Sequence, residues 1–477
     1  MKIISTLTLS ILSILSLNAQ SNPEILSKIH TEVMNNSEAY QQLAKATESI
    51  GHRTTGTENG HLAEEYAASL LKEYGYDVIF QEFEFKGWKR NSLTLVINGE
   101  DIKAVSLAHS PAYADVSGEI IYLGNGLQED YTKLRNRLTD KIVLVSLGLV
   151  EDTPKGTKNL HRSEKTALAA EYGAKGIILY NQAKGDILLT GTASVTGDII
   201  DLPAINITYE DGQRVLNDLQ NKPLTASIKM KNDVGPMKGR NIIARRIGKE
   251  LPKEKIVLGG HLDSWDLATG AIDNGVGSFS IIDVARTYKK LDLENKRTIE
   301  FVLFMGEEIG LLGSKHYVNS AMKDGSIHQI KAMSNMDMTT NPKVYFASTE
   351  ETLDPLDQLA IDIREYIPDF KEKSIQNVGL HSDHQPFMLQ GIPIIGLAQS
   401  QFKEGALNCY HADCDTFDFV EEVGLKNNVL TQTYLMYMLS NRNDFPAKRW
   451  SENEIKEQMI KGNLETPLRI SGDWRWK

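Results

Sequence analysis

The stretch Ile256-Val257-Leu258-Gly259-Gly260-His261-Leu262-Asp263-Ser264-Trp265-Asp266 decides how the chain is read. A short apolar run, closed by glycine, fits a buried strand. Its polar residues then fall just beyond its carboxyl end. Gly270-Ala271-Ile272-Asp273-Asn274-Gly275 follows, at the mouth of a helix predicted over Gly275 to Lys289. The pattern repeats downstream. A buried strand over Arg297–Met305 delivers Glu307-Glu308, and a strand over Ala332–Asp337 ends on Asp337. In open α/β sheets the site lies outside the carboxyl ends of the strands, where these residues would meet.

Working outward, strands at Asn241–Arg245, Lys255–Gly259 and Ile392–Ala398 alternate with helices at Gly310–Asn319, Leu353–Ile367 and Val420–Leu439. Such alternation predicts an α/β fold, a mostly parallel mixed sheet with helices on both faces. Upstream, Ser37 to Tyr74 reads as helix on both sides of the loop Gly51–Thr57, with short strands at Asp77–Phe85 and Leu93–Ile97. Between Ser110 and Val234 the texture changes to short strands (Gly118–Leu123, Lys141–Leu147, Gly176–Tyr180), glycine-rich turns and one helix, Ser163–Tyr172. This reads as a small β-rich α/β insert leaving through a linker at Gly235-Pro236. The expected division is a leader (1–19), a first part of the main domain (20–109), an insert (110–235), a second part (236–445) and a tail (446–477). The tail carries Trp450, Trp474 and Trp476, and its pattern gives it no place.

Composition narrows the classes. The 477 residues suffice for several domains, and 41% hydrophobic with 24% charged residues is the balance of a folded protein. A net charge of -11 argues against nucleic acid as partner, because a phosphate backbone needs a basic stripe. Two cysteines are too few for a four-cysteine metal site. No apolar run is long enough to span a membrane. Lys2, the apolar stretch Ile3–Leu17 and Ala19 read as a secretory signal peptide, so the mature chain is expected in a periplasm or outside the cell.

The residue types at the strand ends point to a cation. Several carboxylates packed together repel one another unless a positive charge neutralises them. Carboxylate plus imidazole suits zinc, with cobalt or manganese as substitutes, and this donor set exceeds what one ion needs. In an extended segment consecutive side chains point to opposite sides. One member of Glu307-Glu308 can therefore bind metal while the other faces water as a general base. A second imidazole must come from the C-terminal third, and spacing leaves His381, His384 and His411 nearly even.

Taken together, these segments resemble the co-catalytic zinc exopeptidases, which include bacterial leucyl aminopeptidases, aminopeptidase Y and carboxypeptidase Q. The matching stretches are Gly260–Ser264, Ala271–Gly277, Glu307–Gly310, Asn335–Asp337, Ser382-Asp383-His384 with Pro386-Phe387, and Tyr410-His411 with Asp415-Thr416. His261–Asp266 looks most like the carboxypeptidase Q branch, and Gly51-His52-Arg53 resembles the family's N-terminal stretch. The insert resembles a protease-associated domain through Asp140–Val145, Ala170–Ile178 and Leu202–Ile205.

The resemblance implies a di-zinc exopeptidase cleaving a terminal bond of short peptides through a metal-bridging water. It implies metal ligands His261, Asp273 (bridging), Glu308, Asp337 and His411, with Glu307 as general base and Asp263 holding the free nitrogen of His261. His384 becomes a pocket or loop-shaping residue. Some relatives place a tyrosine ahead of the Ser-Asp-His loop. Here Val378-Gly379-Leu380-His381 stands there, leaving a metal ion, His381 or Tyr410 to steady the oxyanion. Cys409 and Cys414 flank His411 and are candidates for a disulfide. Aminopeptidase and dipeptidase remain rival readings. A receptor-like ectodomain that has lost its metals is a third, and a homodimer is the family-level expectation for assembly.

Overall fold

The computed structural model describes residues 22–134 and 138–477. The segment read as a signal peptide lies outside the described residues. No helix among the described residues is long and apolar enough to cross a membrane.

The main sheet is built as the apolar runs require. Strands Ile330–Asn335, Leu251–His261 and Arg297–Phe304 lie side by side in parallel, and Arg297–Phe304 pairs on its other side antiparallel with Thr225–Arg246. Every residue of Arg297–Phe304 is buried, as expected for a central strand covered on both faces. Alternate residues feed two cores. Ile256, Leu258, Ile299 and Phe301 face helices Val276–Lys290 and Glu422–Asn441. Val257, Val302 and Phe304 face helices Leu312–Asp324 and His384–Met388.

The insert continues this sheet, because Tyr113–Tyr122 pairs antiparallel with the start of Thr225–Arg246. Strands Tyr113–Tyr122, Ile142–Ser146, Gly176–Tyr180 and Ala204–Ile207 run parallel in that order, closed by antiparallel Ala104–Ser106. Helices Arg162–Glu171 and Tyr209–Asn221 flank it. Its cores also take in Leu95, Ile97, Ile102 and Leu107, so the lobe reaches back past residue 110, where the sequence texture changes.

Three expectations are corrected. The two short strands before residue 98 form one strand, Val78–Ile97, which pairs antiparallel with Thr225–Arg246 in a long ribbon joining both lobes. Gly235-Pro236 is therefore no linker: Pro236 sits inside the ribbon opposite Lys86, and Gly235 opposite Gly87. Between residues 232 and 241 the strand has a partner on one side only, so the N–H that proline lacks is not needed by a second neighbour. Third, the strand expected at residues 392–398 is Ile395–Ala398, and it belongs to a separate three-stranded sheet with Val344–Ala347 and Ile375–Gln376.

The tail, unplaced by its sequence, folds into helices Glu452–Lys461 and Glu465–Ile470. Trp450, Ile455, Met459 and Leu468 are buried in the same core as Phe387 and Met388.

Candidate metal centre and the cleft above it

The three parallel strands end beside one another, and their register places His261 next to Phe304, just ahead of Glu307-Glu308. Asp273 enters from the turn Ala271–Gly275 and His411 from the loop after Ala406–Cys409. Asp273 is the centre of the arrangement. Its Oδ1 lies 3.3 Å from His261 Nε2, which is also 3.3 Å from Asp337 Oδ1. Its Oδ2 lies 2.9 Å from His411 Nε2, which is 3.0 Å from Glu308 Oε2. The two oxygens of one carboxylate thus face two half-sites, each with one imidazole and one further carboxylate.

Several backbone and side-chain contacts hold these residues in place. Asp415 accepts hydrogen bonds from the backbone N–H of Ile272 and of Asp273, at 2.8 and 3.0 Å. Asn274 donates to the carbonyls of His261 and Met336 and accepts from the N–H of Met338, tying together the strand ends that carry His261 and Asp337. Gly277 permits that close fit, because a Cβ there would stand 2.3 Å from both Asn274 Oδ1 and the Met336 carbonyl. Ser382 donates to Asp337 Oδ2 at 2.7 Å. Arg53 is fully buried and donates to the carbonyls of Leu262, Thr269 and Gly270, bracing the loop between His261 and Asp273.

Asp263 serves this frame in two ways. Its backbone carbonyl lies 3.0 Å from His261 Nδ1, closer than its carboxylate at 3.6 Å. That carboxylate accepts the N–H of Glu307 at 3.2 Å and so fixes the start of the Glu-Glu pair. The structure joins Cys409 and Cys414 in a disulfide that spans the His411 loop.

The insert reaches the same centre. Arg162, at the first turn of its helix, places Nη2 at 2.7 Å from His411 Nδ1. The N–H of Thr190 donates to the His411 carbonyl at 2.9 Å. Gly191 leaves the space that Arg162 fills: its φ is +135°, and a Cβ there would lie 1.8 Å from Arg162 Nε. A cleft of about 230 Å3 lies above the carboxylates, between the two lobes and the tail. Glu307, Tyr410 and His381 line it, as does Arg162. His381 stacks on His161 of the insert and lies 3.3 Å from Glu164. His384 does not line this cleft; its Nε2 is hydrogen-bonded to the Gly379 carbonyl, so it shapes that loop.

The electrostatics ask for a cation. Burial and the charges of neighbouring carboxylates push Glu307 and Glu308 well above the usual carboxylate range. Burial works in the same direction on Asp273, but hydrogen bonds from His261 and His411 outweigh it and hold this carboxyl low. Glu308 Oε1 is buried with no partner. Among the described residues, His261, Asp273 and Glu308 form the group that can hold an ion, with donor atoms within 4.8 Å of one another. A tetrahedral zinc with bonds of about 2.0–2.1 Å separates its donors by about 3.3 Å, the spacing found around His261. The donors fit zinc in kind and in spacing.

Residues 241–436 match the model of peptidase family M28, and residues 111–215 that of the PA domain. These two segments are thus similar to an M28 peptidase domain and to a PA domain. Relatives of the chain include leucine aminopeptidase 2 of Trichophyton rubrum, 30% identical over 60% of this chain and 54% of the relative. Aminopeptidase YwaD of Bacillus subtilis is 27% identical over 82% and 83%, and carboxypeptidase Q of Xenopus laevis 27% over 65% of each. The chain spans about half to two thirds of the leucine aminopeptidases that it matches. Among solved structures, an M28 peptidase precursor from Shewanella amazonensis superposes with a TM-score of 0.75 at 21% identity, covering 90% of this chain and 99% of that one. BSAP, a zinc aminopeptidase from Bacillus subtilis, does so with 0.63 at 25% identity, covering 86% and 96%. The mixed α/β architecture expected from the sequence is the M28 fold.

Sequence reasoning gave no role to Arg162, Asn274, Asp415 or Ser382. Asn274 and Asp415 sit inside quoted stretches, where adjacency to Asp273 and His411 was the available signal. Arg162 belongs to the PA domain, and nothing near it in sequence points to a metal.

Proposed function

We propose that this chain is an exported metallo-exopeptidase that binds two zinc ions and hydrolyses a terminal bond of short peptides. The observation that carries the reading is the division of Asp273: each carboxylate oxygen faces its own imidazole and its own second carboxylate. His261, Asp273, Asp337, Glu308 and His411 would hold the zinc, which would supply Lewis acidity toward a carbonyl and toward water. The remaining work falls to side chains of the chain itself. Glu307 faces the cleft with its backbone pinned by Asp263. It takes a proton from the attacking water and passes it to the departing amine. Burial keeps the Tyr410 hydroxyl protonated, so it serves as a hydrogen-bond donor beside His411. Asp337, steadied by Ser382, and Glu308 complete the negative floor on which a substrate's α-amino group can rest.

Export is supported by the leader-like sequence of residues 1–19 and by the Cys409–Cys414 disulfide, a bond that persists in oxidising compartments. The test is a zinc-reconstituted assay of the mature chain on leucine p-nitroanilide, free dipeptides and N-acetylated dipeptides, with bound metal counted. Cleavage of free-amine substrates with two zinc ions per chain is expected. Full metal occupancy without cleavage of any of them would overturn the reading.

A further inference from the structure

The segment after Trp450 lies beyond both matched regions, yet it forms a wall of the cleft. Its buried side chains anchor it to the M28 domain beside Phe387 and Met388. Arg475 adds a hydrogen bond to the Leu389 carbonyl at 2.6 Å and, within the segment, an ion pair with Glu452 at 2.9 Å. On its other side Ile470 packs against a core of the PA domain, and Lys158 of that domain donates to the Gly462 carbonyl at 3.2 Å. The segment therefore bridges the two domains. From this bridge Pro467, Ser471 and Asp473 line the same cleft as Asp273 and Glu308. Asp473 Oδ2 is held by Ser471 at 3.2 Å and by Gln385 at 3.3 Å.

We propose that residues 464–473 set the length of peptide this site accepts, by closing the cleft that would otherwise continue between the two domains. The inference rests on the exopeptidase reading of the site. The cleft, about 230 Å3, is below the ~300–1,000 Å3 of pockets that take drug-sized ligands. A peptide reacting at the acidic floor has little room to extend before it meets Pro467 and Ser471. A further residue would have to displace them or bring its terminal carboxylate beside Asp473, and like charges repel. The wall thus discriminates by what it excludes.

The test compares kcat/KM for Leu-Leu and for Leu-Leu-Leu-Leu in the zinc-loaded full-length mature chain, in a chain ending at Ile470, and in Ser471→Gly/Asp473→Gly. The tetrapeptide-to-dipeptide ratio is expected to rise at least tenfold in both variants and to fall in Ser471→Trp, which narrows the cleft. A ratio within twofold of the full-length value, in a variant with matching melting temperature and zinc content, overturns the inference. If the truncated chain does not fold, the double substitution decides. If the full-length chain cleaves neither peptide, the exopeptidase reading fails and the wall is judged by binding. Calorimetric Kd values for the two peptides on the zinc-loaded Glu307→Gln chain should then differ at least tenfold less when the wall is opened. An unchanged gap overturns the wall as well.

Discussion

The guanidinium of Arg162 stands 2.7 Å from Nδ1 of His411, so a side chain of the insert is hydrogen-bonded directly to a member of the candidate metal centre. A guanidinium carries its charge at every working pH and can only donate. Burial and this neighbouring charge together lower the His411 pKa to about 4, which keeps the imidazole neutral. With Nδ1 accepting from Arg162, the one proton of the neutral ring sits on Nε2, toward Asp273 and Glu308, and has to leave before Nε2 can bind a metal.

Arg162→Leu frees Nδ1 to carry that proton and takes a cation away from the centre, so zinc binding at neutral pH is expected to tighten, measured by competition with a chromophoric chelator. Its acid limb should also move to higher pH, because His411 regains a more ordinary pKa. Equal affinity and an unmoved acid limb would show that the contact plays no part in holding His411.

Glu307→Gln should keep its zinc and lose turnover by about 10²–10⁴-fold, the usual worth of a general base. Metal analysis together with kcat/KM on a dipeptide decides this. Near-normal turnover would remove Glu307 from the mechanism.

Asp415→Ala removes the acceptor of the backbone N–H groups of Ile272 and Asp273. Hydrogen bonds to a charged group contribute about 1.5–3 kcal/mol each, so a clear loss of stability in urea unfolding is expected. Asp415→Asn keeps one acceptor and should lose less. Zinc affinity should fall in the same order, since the backbone of Asp273 is what moves.

In the metal-free protein burial and neighbouring carboxylates raise Glu307 and Glu308 well above the usual carboxylate range, so both hold their protons more tightly. Burial opposes a charge on His261, yet Glu307 and Asp337 raise its pKa well above the usual value. Zinc must displace these protons, so uptake should release protons and affinity should rise with pH. Calorimetry in two buffers of different ionisation heat measures the release. Identical heats in both would contradict the protonation assigned to the site.

The strand ends were legible because a parallel central strand must be apolar on both faces, so Ile256–Gly260 and Arg297–Met305 stand out against their polar exits. His411 was not legible from spacing, since its loop meets Asp273 only through the fold. The ribbon was missed for a related reason. Gly235-Pro236 carries a strong local turn signal, but its pairing with Lys86 and Gly87 joins segments far apart in sequence. The tail had no place for the same cause: the partners that hold it, Phe387, Met388 and the Leu389 carbonyl, lie well upstream.

The ribbon of Val78–Ile97 and Thr225–Arg246 is also the covalent road into and out of the PA domain. Its one break in register lies between Arg90 and Ser92, and Arg90 is bonded both to Asp266 of the M28 domain and to Thr190 of the PA domain. The two domains are therefore joined like plates welded along one seam, with the weld point beside the cleft. Any breathing that admits substrate must twist paired strands instead of swinging on a loose tether, so the width of the opening is governed by torsional stiffness of the backbone itself.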